Sequence, residues 1–240
     1  NISMCQGLTA TLDAGNPGNS FLWSTGAVTQ TITVSSSGQY AVTITNLNGC
    51  TATLISTVQV NPLPSAAITI NDACINQAIQ FFDSSSISAG NISNWQWSFG
   101  DSALSNVQNP THNFANAGTY NISLVVTSAA GCMDSISQSI TIFPKPVVAF
   151  SGVNACPGSA IQFQNSSSVS TGSINAYHWN FGDGTTSSVL TPTHTYTSSG
   201  NYQVALTVNS SGGCVDSLIQ QVTIYPKPVA QFTAPAVCLN

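Results

Sequence analysis

Along this chain, apolar residues recur at every second position in short runs, and Gly, Ser, Asn and Thr fill the gaps between the runs. In the stretch 147–224 the alternating runs are 147–150, 160–164, 176–181, 193–196, 202–208 and 217–224. A period of two places one face of each run on a core and the other in water, which is the pattern of a half-buried strand. No stretch carries the 3.6-residue period of a helix. Short strands at this density, gathered around one Trp, predict an all-β fold of tandem immunoglobulin-like sandwiches arranged head to tail. The Gly-x-Tyr that opens the fifth run, Gly118-Thr-Tyr120 and Gly200-Asn-Tyr202, is similar to the tyrosine corner of such sandwiches.

The pattern repeats. Residues 62–144 and 144–226 superpose at an offset of 82 without a gap, so that Cys74 maps to Cys156 and Cys132 to Cys214. Trp97-Ser-Phe-Gly-Asp101 maps to Trp179-Asn-Phe-Gly-Asp183, and Pro110-Thr-His112 to Pro192-Thr-His194. The first 61 residues keep the same order in compressed form: Cys5, a strand, Trp23, Gly38-Gln-Tyr40, a strand, and Gly49-Cys50. The expected modules are therefore 1–61, 62–144 and 145–226, with 227–240 opening a further copy as its first strand. The module at 1–61 has only Asn1–Met4 before its first cysteine, so its first strand is expected to be short or missing. Pro62-Leu-Pro64 and Pro144-Lys-Pro146 are short, Pro-rich linkers, which are stiff and extended and predict a rod with little bending between modules.

Composition narrows the function classes. The chain has no Arg and no Glu; its cations are Lys145 and Lys227, against seven Asp, for a net charge of −5. Two cations leave no phosphate-binding footprint, which argues against nucleic acid and anionic membrane surfaces. No apolar run reaches the ~18 residues of a membrane span. An apolar fraction of 42% supplies cores, so low charge does not imply disorder here. Both lysines sit in Pro-Lys-Pro, where trypsin-like proteases cut poorly.

Candidate chemistry is sparse. Asp101 and Asp183 lie near His112 and His194 in sequence, and Ser is abundant, which is the raw material of a hydrolase triad. Because the same Asp and His recur in both long modules, they read as fold determinants instead: Asp-Gly for a hairpin turn, His for packing or a local hydrogen bond. No catalytic residue, cofactor or metal site is assigned. Asp83 and the equivalent Asn165 supply at most one carboxylate per module, too few for a tight calcium site. Trp95 faces the opposite side of its strand from Trp97, which leaves it either at a module junction or free to stack on sugar.

The string Trp179-Asn-Phe-Gly-Asp-Gly184, then Pro192-Thr-His-Thr-Tyr196, then Gly200-Asn-Tyr-Gln-Val-Ala-Leu-Thr-Val208 resembles the polycystic kidney disease (PKD) repeat over 62–226. The module at 62–144 departs from it at Gly100-Asp101-Ser102, where the second Gly is missing. Residues 5–60 resemble immunoglobulin-like modules found beside PKD repeats in giant surface proteins of gliding Bacteroidota. The resemblance implies a cell-surface or secreted protein, often exported by the type IX pathway, that acts as an adhesin or filament. The second reading is a spacer or glycan-binding accessory segment of a secreted hydrolase. Expected partners are neighbouring modules, further copies of the chain, or surface glycans. The triplets Asp101-Ser102-Ala103, Asp134-Ser135-Ile136 and Asp216-Ser217-Leu218 resemble a Bacteroidota O-glycosylation signal, which marks Ser102, Ser135 and Ser217 as candidate acceptors.

Seven cysteines in such a chain imply an oxidising compartment. No Cys-x-x-Cys pair suggests zinc. Pairing within modules would join Cys5–Cys50, Cys74–Cys132 and Cys156–Cys214. In the sandwich, however, the first cysteine sits at one end and the second at the other, ~20–26 Å apart along a strand of six to eight residues. A disulfide needs Cα atoms within about 7 Å. Head-to-tail modules would instead bring Cys5 to Cys132 and Cys74 to Cys214, and leave Cys50, Cys156 and Cys238 to bond to modules outside the chain or to remain free. Both pairings remain open at this point. So does assembly: the segment 229–232 would serve either as a strand donated to the first module of another copy or as the start of a longer covalent array.

Overall fold

The computed structural model describes residues 1–233, and every regular element among them is a strand. Internal contacts gather the chain into two units. The first holds Asn1–Asn71, Ala78–His112 and Thr119–Ile140; the second holds Asp72–Gln77, Asn113–Gly118 and Thr141–Asn240.

In the first unit, the opening repeat is a sheet in the order Ile2–Cys5, Thr51–Asn61, Gly38–Thr45, Ser20–Trp23. Ala10–Asp13 pairs with Thr31–Val34 to form the facing layer. The alternation does what it predicts: Ile32 and Val34 are buried while Thr31 and Thr33 are exposed. Leu12, Phe21, Trp23, Val42, Ile44 and Val58 fill the space between the layers. Ile2–Cys5 is a four-residue strand parallel to Thr51–Asn61, with Cys5 opposite Asn61, as Cys74 is opposite Phe143 in the second repeat. In the second repeat, Ile92–Ser98 pairs with both Leu104–Ser105 and Gly118–Ser128. Phe81 packs against Trp97 and Phe99 at tilted angles, with centroids 5.9 and 5.0 Å away.

The second unit carries a sheet in the order Thr186–Ser187, Ile174–Asn180, Gly200–Ser210, Val215–Ile224. Ala160–Gln162 pairs with Thr193–Thr195, and Gln164–Asn165 with Phe150–Ser151. The core is built from Phe150, Ile161, Phe163, Trp179, Phe181, Tyr196, Val204, Leu206, Val208, Val222 and Ile224. Each large apolar side chain removed from water in this way contributes about 1.5–3 kcal/mol before the cost of ordering it. This unit also includes the end of the second repeat, where Ala73–Cys74 runs parallel to Ile142–Phe143.

The run at 160–164 is two strands, because the chain changes partner at Phe163, whose N–H donates to Pro192 O at 2.9 Å. Thr186–Ser187 is a strand that no hydrophobic alternation announces. The first strand of the third repeat is Phe150–Ser151, later than 147–150, with Val147 held by a single bridge to Ser168. Residues 229–232 are not in a strand. The equivalent Phe150–Ser151 is a strand only because Gln164–Asn165 lies beside it, and that partner in a further repeat would fall after residue 240. Cys238 lies outside the described residues.

Candidate functional site

The features that set this chain apart are at the ends of its repeats. Each long repeat closes with a hairpin whose outgoing strand, Met133–Phe143 or Val215–Ile224, begins just after a cysteine. The other cysteine of the repeat lies next to the far end of that strand: Cys74 is the register partner of Phe143. An 11-residue strand spans roughly 33 Å, so the two cysteines of one repeat cannot meet.

The structure joins them across repeats. Cys5 bonds Cys132 with Cα atoms 5.6 Å apart, and Cys74 bonds Cys214 at 5.7 Å. Within-repeat bonds Cys5–Cys50, Cys74–Cys132 and Cys156–Cys214 are not formed; Cys50 and Cys156 are free and exposed. Cys132 and Cys214 are buried, whereas their counterpart Cys50 is open to solvent.

Around each bond the two junctions differ. In the second unit, the ring of Phe143 lies on Gly212: a Cβ there would fall 2.3 Å from the ring carbon Cγ. At the corresponding place in the first unit, Asn61 and Ala130 line a cavity of about 270 Å³ together with Gln59, Pro62 and Ile87. The larger linker residue faces the smaller hairpin residue.

The Asp and His of the repeated motif do meet. Asp101 Oδ2 lies 2.7 Å from His112 Nε2, and Asp183 Oδ2 lies 2.7 Å from His194 Nε2. An ionised carboxylate only accepts, so Nε2 carries the proton in both pairs. The imidazoles lie flat on Phe99 and Phe181, with centroids 4.3 and 4.1 Å away. Burial works to raise the Asp183 carboxyl, but hydrogen bonds from Thr185 and His194 outweigh it and hold it below the usual carboxylate range. Asp101 is lowered in the same way, against burial, by His112 and the Ala103 N–H. The Thr185 hydroxyl lies 3.5 Å from His194 Nε2, yet it donates to Asp183 Oδ1 at 2.6 Å. The matching position in the other repeat is Ala103, so the pair is shared and the hydroxyl is not. The pair fastens the turn after Trp-x-Phe-Gly to the neighbouring strand.

That turn survives the missing glycine. Phe99 N donates to Ala103 O and Phe181 N to Thr185 O, both at 3.1 Å. Ser102 adopts φ 76°, the left-handed region that Gly184 occupies at 92°. The preceding Gly182 has a separate cause that the sequence does not show: a Cβ would stand 2.7 Å from Gln203 O.

Asp83 is occupied by its own repeat. Its Oδ2 accepts from Trp95 Nε1 at 2.7 Å and Gln108 Nε2 at 3.1 Å, and its Oδ1 from Ser85 N at 2.9 Å. Burial again pushes this carboxyl up, and the donors from Ser85, Gln108 and Trp95 bring it below its ordinary value. Trp95 is accordingly half-buried, with its indole N–H bonded within its own repeat. The equivalents Tyr177 and Asn165 change together, so the anion is present where the indole N–H needs it. No group of three or more His, Cys, Asp or Glu that could hold a metal occurs among the described residues. Ser102, Ser135 and Ser217 are all exposed, the first in a turn and the other two on the outgoing hairpin strands. No helix among the described residues is long and apolar enough to cross a membrane.

Comparison with known proteins bears on the two long repeats. The PKD domain family matches residues 59–143 and 144–224. The pre-pro-metalloprotease PrtV of Vibrio cholerae serotype O1 is 38% identical over 84 residues, which are 35% of this chain and 9% of that protein. Collagenase ColA of Bacillus cereus is 44% identical over 69 residues, 28% of this chain and 7% of the collagenase. The chain thus spans less than a tenth of these relatives. The crystal structure of the PKD1 domain from the Vibrio cholerae metalloprotease PrtV is 39% identical, covers 33% of this chain and 96% of that domain, and gives a TM-score of 0.31.

Proposed function

The chain belongs to the PKD-domain family, and we propose that it is a non-catalytic, load-bearing segment of an extracellular surface adhesin or filament. The observation that carries this reading is the connectivity of the disulfides. Each bond ties one repeat to another instead of closing a single repeat. A bond within a module stabilises that module; bonds between modules shorten the covalent path along which tension can extend the array. Two disulfides also suit an oxidising, extracellular setting. The Asp–His pairs fit the same reading, since they hold turns and have no hydroxyl in common to activate.

The matched proteases and collagenase favour a second reading, a spacer or accessory segment of a secreted hydrolase. Deleting residues 1–226 from the parent protein separates the two. Loss of surface attachment with hydrolysis unchanged supports the adhesive reading. Loss of hydrolysis of a bulky substrate with attachment intact supports the accessory one. We extend the proposal to Ser102, Ser135 and Ser217 as O-glycan acceptors, whose exposure leaves room for a sugar. An intact mass equal to the unmodified chain, measured on protein from its native source, removes that extension.

A further inference from the structure

Cys156 and Tyr225 stand where Cys74 and Phe143 stand one repeat earlier. In the earlier position the face is occupied: Cys74 is bonded to Cys214 and Phe143 lies on Gly212. In the later position the same face is built and uncovered. Ala155 bridges Ile224 in parallel, as Ala73 does Ile142. Thr223 N donates to Asn154 Oδ1 at 2.9 Å, as Thr141 N does to Asp72 Oδ1 at 2.7 Å. Cys156 is a free, exposed thiol, and Tyr225 is 53% exposed.

From this continuity we infer that the Cys156–Tyr225 face is a docking surface for one further sandwich repeat, whose closing hairpin reads Gly-Gly-Cys. The hairpin cysteine would form the disulfide with Cys156, and the first glycine would receive the ring of Tyr225. The choice of glycine follows from the two occupied junctions. Phe143 tolerates no side chain at Gly212, whereas the smaller Asn61 faces Ala130 across open space. An aromatic residue at the linker position therefore excludes a Cβ opposite it. The exposed hairpin of this chain, Asn48-Gly49-Cys50, has the turn of its relatives, with Asn46 N donating to Cys50 O at 3.0 Å as Ser210 N donates to Cys214 O at 2.9 Å. It carries Asn48 where the glycine belongs, so a second copy of this chain is the wrong occupant. The inference rests on the tandem-array part of the proposed function and is independent of whether the array adheres to anything.

The test extends the chain by its own sequence. Residues 1–226 are followed directly by a second copy of residues 145–226, which supplies the Ser-Gly-Gly-Cys hairpin and removes Cys238 as a competing thiol. Disulfide mapping without reduction is expected to find Cys156 bonded to the Cys214 of the added repeat. A Cys156 that stays reduced, or that bonds elsewhere, overturns the inference. Gly212→Asn in the added repeat alone is expected to slow closure of that bond in glutathione buffer at least about tenfold, by forcing the ring away. Adding Tyr225→Ala is expected to restore the rate, which distinguishes a steric gate from a misfolded repeat. Equal rates for Gly and Asn, or no rescue, overturn the choice of glycine. Efficient Cys156–Cys50 cross-linking between copies of the unextended chain would make a second copy the occupant and overturn the proposal. None of these outcomes depends on attachment or hydrolysis, so the functional reading fails or stands separately.

Discussion

The carboxylate of Asp183 meets Nε2 of His194 at 2.7 Å while the imidazole lies flat on Phe181. This one contact joins the turn after the Trp strand to the strand Thr193–Thr195, and it is repeated at Asp101 and His112.

Acid should loosen these turns. The Asp183, Asp101 and Asp83 carboxyls are all held below their ordinary value of 3.8 in the folded chain. A depressed carboxyl contributes stability that is present above its unfolded pKa and is lost as pH falls through the folded value. The urea midpoint is therefore expected to hold between pH 7 and about pH 5 and to drop below about pH 4. Asp183→Asn should lower the midpoint at pH 7 and flatten the acid limb. An acid limb as steep in Asp183→Asn, Asp101→Asn and Asp83→Asn as in the parent would assign it to other groups.

The two glycine-dependent turns predict opposite signs. Ser102→Gly relieves a left-handed serine and is expected to stabilise the chain by about 0.5–1 kcal/mol, partly offset by the greater freedom of glycine when unfolded. Gly182→Ala places a methyl 2.7 Å from Gln203 O in a left-handed conformation and is expected to cost about 1–3 kcal/mol. Both are read from thermal or urea unfolding.

The disulfides overlap in sequence, since Cys74 lies inside the loop closed by Cys5 and Cys132. Pulled from its ends and fully unfolded, the oxidised chain can extend between Cys5 and Cys214 by only about 58 residues, the stretch from Cys132 back to Cys74, or roughly 200 Å. After reduction the same interval should release about 730 Å. Single-molecule force extension measures this directly; an oxidised chain that lengthens like the reduced one would show that the bonds are absent or differently connected. Replacing Cys74 and Cys214 together by Ser is expected to cost about 2–5 kcal/mol of stability.

Trypsin should leave even the reduced, denatured chain essentially whole. Its two cations, Lys145 and Lys227, both precede Pro, and there is no Arg. Three fragments on a gel would show that the Lys-Pro bonds do not protect.

Period-two alternation with a buried Trp determined the strands and the sandwich class, because burial on one face of a strand is written in local order. The offset of 82 determined that Asp183, His194 and Gly200 belong to the fold, because a residue needed by every copy recurs in every copy. Partner choice was not local. Strand length alone separates Cys74 from Cys132, but only the packed junction selects Cys214 and lays Phe143 on Gly212. The short strand Thr186–Ser187 carries no alternation, and Trp95 reads as a surface residue until Asp83 is seen accepting its N–H. Gly182 reads as a turn residue, yet the closest constraint on it is the backbone of Gln203, brought from another strand. Sequence order encodes what each residue does to its own segment; the approach of a second segment, and the room left between them, exists only once the sheets have packed.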